Sequence, residues 1–538
     1  LQAQYPELIK DIYPGIESGT PYLFKAYDGL LYFSAVDTAE NRELWVSDGT
    51  ESGTYKLKDI KPDPLDGSHP STYAELNGKL YFQAKDWAQD RTLWVTDGTE
   101  EGTLKVIDTA DLGYMHWYME VSNGHMYFSG GPSSSKEELW ISDGTSDGSY
   151  VLKEINSGED DSSPRFLIPL GDKLFFYAYH EAYGNEPWIT DGTADGTVLL
   201  QDINPGPEGS LQAYYGYGGI SGSKLYFAAY DSIHGAELWV TDGTTEGTYL
   251  LKEIIPGTMG GFDEGYSKFI EYYDYMYFVA DDTIHGRELW RTDGTTEGTI
   301  LAEDIYPGES SGSPGTLVVS GGKLYFFART AEHGVELRVI DNPNSTSQLV
   351  KDIVEGPESS YTSHLVAHNG YLYFRADDGT NGFELWTSDG TETGTIKLAP
   401  QSGTNYDPLG QYQFYDFGYC NNSLYYSANY DDKGAELYKI EIPVTINEVS
   451  KPEIPEFELY PNPAMQILNL DFTLTQGQEI SFHLTSTDGK RISTLLSSDY
   501  TSGRHLISFP LPDKLPYGIY ILEIRTKNWR EALKFVKK

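Results

Sequence analysis

One string recurs through most of this chain and constrains its fold more than any other feature. Glu43-Leu44-Trp45-Val46-Ser47-Asp48-Gly49-Thr50, followed by Gly53-Thr54, returns with its tryptophan at Trp94, Trp140, Trp188, Trp239, Trp290 and Trp386. Two degenerate copies carry Arg338 and Tyr438 at that position, and the spacing averages about 49 residues. A second landmark keeps the same beat: Leu31-Tyr32-Phe33 reappears in each unit as far as Leu424-Tyr425-Tyr426. Both landmarks count nine copies. A period of this length marks a supersecondary unit that buries its apolar surface only against its neighbours.

Each unit reads as four short strands. In the first, Tyr22 to Tyr27 leads into an Asp28-Gly29 hairpin turn, the strongest short-range hairpin signal. Leu31 to Val36 follows, with Leu31, Phe33 and Ala35 on one face and Tyr32 and Ser34 on the other. Leu44 to Ser47 is the third strand, and the Asp48-Gly49-Thr50 turn leads to the fourth, Tyr55 to Ile60. The chain opens on Leu8-Ile9-Lys10-Asp11-Ile12, which matches the fourth strand of later units, whereas the ninth unit stops after its third strand near Ile442. The N-terminal segment is therefore expected to complete the last unit and leave no long exposed edge. The predicted fold is all-β: a nine-bladed β-propeller of four-stranded blades over residues 1–442. Nine exceeds the usual range of about 4–8 blades, and an open solenoid is the alternative.

The repeats resemble the ELWxxDGT-repeat proteins of the Bacteroidetes, over roughly residues 1–442. That resemblance implies secretion and leaves the biochemical role undefined. After Ile442 the texture changes. Residues 443–456 read as a linker with Pro443, Pro452 and Pro455. From Phe457 the chain holds 10 basic and 8 acidic residues, although the whole chain is strongly acidic. A charge break of this kind marks a domain boundary. About seven alternating strands in residues 457–538 predict a small Ig-like β-sandwich. This module is similar to the type A C-terminal sorting domains of the type IX secretion system. The matching residues are Tyr460-Pro461-Asn462-Pro463, Thr487-Asp488-Gly489-Lys490, Pro516-Tyr517-Gly518-Ile519-Tyr520 and the basic end with Lys537 and Lys538. The resemblance implies export across the outer membrane of a Gram-negative bacterium, with the shuttle barrel of that machinery as a partner.

Composition narrows the partners. A formal net charge of −43 repels nucleic-acid phosphates and anionic membrane surfaces, so no nucleic-acid partner is expected. No apolar run reaches the length of a transmembrane helix. The single cysteine, Cys420, forms no internal disulfide, so the core and the strand ladders carry the stability. Leu1-Gln2-Ala3-Gln4 fits the remnant of a processed signal peptide.

Residues present in every unit are expected to serve structure: the turn Asp bonding its own turn, the Trp packing between units. The irregular, acidic loops between second and third strands and between fourth and first strands emerge on one side, which is the expected binding side. There, carboxylates bracket loops in four units: Asp37 with Glu43, Asp231 with Glu237, Asp282 with Glu288 and Asp378 with Glu384. Such oxygen ligands would suit Ca²⁺; the rival reading has each Glu bonding backbone amides. His234, His285 and His333 share one position in three consecutive units and read as turn residues rather than zinc ligands. Unit-specific aromatics are the candidate ligand contacts: Trp117 and Tyr118, Tyr214, Tyr215 and Tyr217, Tyr272 and Tyr273. They could stack on sugar rings; core packing is the rival explanation. No nucleophile elbow, phosphate loop or zinc-protease motif is present. The expected function is a secreted or cell-surface, non-catalytic binding protein, lectin- or adhesin-like, for a glycan or surface protein. The alternatives are an accessory retained at the outer membrane through its sorting domain and a polysaccharide-active propeller enzyme.

Overall fold

The computed structural model describes residues 5–37, 41–63, 66–86, 91–107, 112–156, 161–211, 218–262, 268–398, 407–410, 416–431, 433–442, 457–474, 477–486, 491–512, 515–526 and 530–538. Among them every regular element is a strand. The chain divides into two compact units, Leu1–Pro443 and Val444–Lys538.

Among the described residues the first unit holds nine four-stranded antiparallel sheets. The first comprises Tyr22–Tyr27, Leu30–Val36, Arg42–Ser47 and Tyr55–Lys58, joined in sequence order. Its opening turn takes positive φ at both Asp28 (46°) and Gly29 (75°), the backbone that a two-residue hairpin needs to match strand twist. Seven more sheets repeat this plan. In the ninth, Phe417–Cys420, Ser423–Ala428 and Glu436–Glu441 are joined by Glu7–Lys10 from the start of the chain. That strand runs antiparallel to the third, with Glu7 opposite Lys439 and Leu8 opposite Tyr438.

Among the described residues this unit has nine apolar clusters, each in the seam between two neighbouring sheets. The period-2 geometry of a strand explains the repeat string. Leu44 points forward, into the seam with the second sheet, beside Tyr32, Leu80, Phe82 and Trp94. Trp45 points backward, beside Phe33, Ile9, Cys420, Tyr425 and Leu437. Its ring stacks on Phe33 at 6.5 Å and 25°. Burial of each such ring contributes roughly 2–3 kcal/mol before entropy is counted. The seam between the ninth and first sheets is thus built from the same residue types as the others. Polar contacts repeat across it too. Lys58 Nζ donates to Glu100 O at 3.0 Å and Thr103 O at 2.7 Å in the next sheet. At the closing seam Lys10 Nζ donates to Glu51 O at 3.5 Å and Lys439 Nζ to Gly49 O at 3.0 Å. First strands of neighbouring sheets lie against one another, as in the inner strands of a propeller. The fold is a β-propeller-like array of four-stranded sheets.

The second unit packs a three-stranded sheet (Phe457–Tyr460, Ile467–Leu474, Gly503–Pro510) against a four-stranded one (Arg491–Tyr500, Gln478–Ser486, Gly518–Arg525, Arg530–Lys537). They share one core that includes Leu470, Phe472, Phe482, Leu522, Ile524 and Phe535. The motifs at its two ends meet. Val536 N donates to Asn462 Oδ1 at 2.9 Å, Ala464 N to Val536 O at 2.8 Å, and Lys538 N to Ala464 O at 2.8 Å. Tyr520 Oη donates to Pro516 O at 2.9 Å. Pro461 and Pro463 both follow cis peptide bonds. Gly518 opens a central strand and Lys537 ends the edge strand beside it; Asp488 and Gly489 lie outside the described residues.

Candidate functional site

The repeated motif residues are committed to the scaffold. Asp48 Oδ1 accepts the Thr50 N–H at 2.8 Å and the Thr50 hydroxyl at 2.7 Å, and Gly53 N donates to Thr50 Oγ1 at 3.0 Å. Ser47 Oγ and Thr54 Oγ1 are 2.7 Å apart, and Gly49 N donates to Ser47 Oγ at 3.0 Å. A Cβ on Gly53 would meet Asp48 Oδ1 at 2.0 Å, and one on Gly49 would meet Tyr425 Oη of the ninth sheet at 2.5 Å. The Asp-Gly-Thr turn is therefore closed by its own hydrogen bonds.

The glutamate of the string is equally occupied. Glu43 is fully buried and accepts backbone N–H groups from Ile60 and Lys61, which follow the fourth strand, and from Ser68, which precedes the next sheet. Burial, only partly offset by these bonds, pushes its pKa up to about 7. Glu237 bonds Ile254 and Ile255, and Glu288 bonds Ile305, Tyr306 and Gly312. Glu384 pairs instead with Lys397 at 2.6 Å. The bracketing aspartates have partners of their own: Asp37 with Lys56 at 3.0 Å, Asp231 with His234 at 2.8 Å, Asp282 with His285 at 2.7 Å and Asp378 with Lys397 at 2.9 Å. His333 Nδ1 lies 3.0 Å from Asp352. Among the described residues no three His, Cys, Asp or Glu side chains are grouped to hold a metal ion. The carboxylates proposed from sequence for Ca²⁺ stand in these protein-to-protein bonds.

The aromatic candidates separate. Tyr214, Tyr215 and Tyr217 lie outside the described residues. Tyr272 is 2% exposed and its hydroxyl donates to Ile340 O at 3.1 Å, so it fills a seam. Its neighbour Tyr273 is 44% exposed with φ 54°. Trp117 and Tyr118 stand at a break in the first strand of the third sheet, Tyr114–Ser122. Met115 faces Gly130 and Met119 faces Phe128, so three residues oppose Ser129 alone. In the first sheet the corresponding step, from Tyr22 opposite Ser34 to Lys25 opposite Tyr32, sets only two residues against one. The wider bulge throws His116, Trp117 and Tyr118 out of the ladder, and bulges commonly re-aim side chains at functional sites.

These residues wall a cleft of about 280 Å³. Trp117, Tyr118, Met119 and Glu120 form one side, Phe166, Leu167 and Ile168 of the fourth sheet the other, with Gly218 at the fifth sheet. Trp117 is 51% exposed. The Arg91 guanidinium lies 4.3 Å from its ring centroid, and Thr72 Oγ1 donates to its carbonyl at 3.1 Å. The Tyr118 ring stacks on His116 at 4.8 Å and 8°, and lies 5.5 Å from Phe166. Glu120 Oε1 accepts the Val121 N–H at 3.1 Å, and partial burial raises its pKa. The site is thus a rigidly braced aromatic wall with one carboxylate beside it. Glu120 and Phe166 were not singled out from sequence; Glu120 carried a signal only as the acidic residue nearest the aromatic run.

Comparison with known proteins places residues 458–538 in the family of secretion system C-terminal sorting domains. Residues 458–538 are therefore a type IX sorting domain, which implies interaction with that secretion machinery and secretion or cell-surface localisation. A search of curated proteins by sequence found no match. Among solved structures, prolyl endopeptidases studied for inter-domain dynamics are 12% identical with a TM-score of 0.39, covering 86% of this chain and 56% of theirs. A puromycin hydrolase is 16% identical with a TM-score of 0.34, covering 69% and 60%. The β-propeller domain of the Trilobed protease from Pyrococcus furiosus is 12% identical with a TM-score of 0.33, covering 75% and 99%. This chain spans little more than half the length of the first two of these proteins, and TM-scores below 0.5 transfer no activity to it. Among the described residues no helix is long and apolar enough to cross a membrane.

Proposed function

We propose that this protein is an exported, non-catalytic binding protein: a closed nine-bladed propeller of the ELWxxDGT type, delivered by an Ig-like sorting domain, that takes a sugar ring in the Trp117 cleft. The supporting observation is the three-residue bulge, which departs from the repeat to present a half-exposed indole braced by Arg91 and Thr72. Aromatic faces pack against the apolar C–H faces of sugar rings. Trp117 belongs to none of the apolar seams among the described residues, whereas Tyr118 also packs against the seam between the third and fourth sheets.

Binding of the full-length chain to a panel of bacterial and algal oligosaccharides tests this reading, with and without EDTA and with reducing ends assayed in parallel. Saturable binding unaffected by EDTA, without release of new reducing ends, is the expected result. Sugar release would instead identify an enzyme. Absence of binding across the panel would favour an accessory role retained at the outer membrane.

A further inference from the structure

The sugar-binding reading above leaves Glu120 unexplained. Glu120 is partly buried in the cleft wall with Tyr118 and Phe166, and its only hydrogen bond among the described residues is to the adjacent Val121 N–H. Neighbouring guanidinium groups are engaged elsewhere. Arg91 lies over Trp117 and donates to His69 O at 3.0 Å and Ser71 Oγ at 2.8 Å, while Arg165 donates to Ser163 O at 3.2 Å. No ion pair involves Glu120 among the described residues. A partly desolvated carboxylate without a cation costs stability, which a bound cation would restore. The aromatic walls add to the same preference, because ring faces attract ammonium groups. The net charge of −43 raises the local concentration of cations around the protein.

We propose that the ligand of this cleft is an amino sugar with a free, protonated amine, its ring on the Trp117–Tyr118 wall and its ammonium paired with Glu120. The inference rests on the sugar-binding reading and adds the charge of the ligand. An N-acetylated or neutral sugar offers the same ring but leaves the carboxylate unpaired.

Calorimetric titration of the full-length chain with three disaccharides at about pH 6.5 and physiological salt tests the assignment. The ligands are diglucosamine, its di-N-acetylated form and cellobiose. The expected result is about tenfold tighter binding of the free amine, the order of a charge-assisted hydrogen bond. Glu120→Gln should erase that preference, so that the free amine binds no more tightly than the neutral sugars. Because an acidic surface attracts any cation, a preference that survives Glu120→Gln would overturn the assignment. Equal affinity for all three sugars, abolished by Trp117→Ala, would also overturn it while leaving the sugar-binding reading intact. No binding of any sugar would remove both.

Discussion

The carboxylate of Glu436 accepts the backbone N–H of Ile12 at 2.7 Å, joining residues 424 positions apart. Its other oxygen accepts Gly19 N at 2.7 Å. Glu43 makes the equivalent bonds to Ile60 and Ser68 within and after its own sheet. A bond that serves connection at Glu43, Glu138, Glu186, Glu237, Glu288 and Glu336 therefore joins the chain's beginning to the end of its repeat region at Glu436.

Glu436→Ala should leave two buried N–H groups without acceptors and destabilise the repeat unit by roughly 3 kcal/mol. Glu51→Ala, on an exposed turn, should change stability by less than about 0.5 kcal/mol. Denaturant midpoints together with limited proteolysis measure this; early cleavage in residues 1–20 of the Glu436 variant is the specific signature of a released N-terminal strand.

Stability should rise as pH falls from about 8 to about 5. Burial raises Glu43, Glu138, Glu186, Glu237, Glu288 and Glu336 to about 7 and Glu436 to about 8, against an ordinary value of 4.5. In that window the folded chain binds more protons than the unfolded chain, so lowering pH favours folding. Asp48, Asp97, Asp143 and Asp191 act in the opposite sense, because the Thr hydroxyl and N–H hold them below 3.8; their contribution is lost only under more acid conditions. Melting temperatures in constant ionic strength would contradict the account if they fell steadily from pH 8 to pH 5.

Gly53→Ala should destabilise by about 2 kcal/mol, since its Cβ would occupy the position of Asp48 Oδ1. Gly315→Ala is the control: a Cβ there meets nothing within 4 Å, and the change should stay within about 0.5 kcal/mol. Equal effects would show that the turn tolerates displacement of its aspartate.

The repeat was legible because its residues answer to local geometry. Leu44 and Trp45 alternate between two seams, Asp48 closes a turn, and Asp28-Gly29 supplies the positive φ of a hairpin. The pairing of Glu7–Lys10 with the last sheet followed from counting strands. The cleft was only half legible. Trp117 stood out as an aromatic absent from other units, but neither the bulge register nor Phe166, contributed by a different sheet, has a sequence signature. Tyr272 misled for the same reason: an unusual tyrosine marks a seam as readily as a ligand site. The Glu of the string offered oxygen ligands by type alone, and its backbone donors come from residues 17 and 18 positions later.

The most direct test of the central claim is calorimetric binding of the best oligosaccharide from the panel to the wild-type chain, Trp117→Ala and Tyr273→Ala. Loss of the indole face should weaken binding about tenfold or more, since such stacking contributes roughly 1–2 kcal/mol. Tyr273→Ala, exposed but away from the cleft lining, should bind as wild type does. Undiminished affinity in Trp117→Ala, with its melting temperature unchanged, would contradict the assignment of this cleft as the binding site.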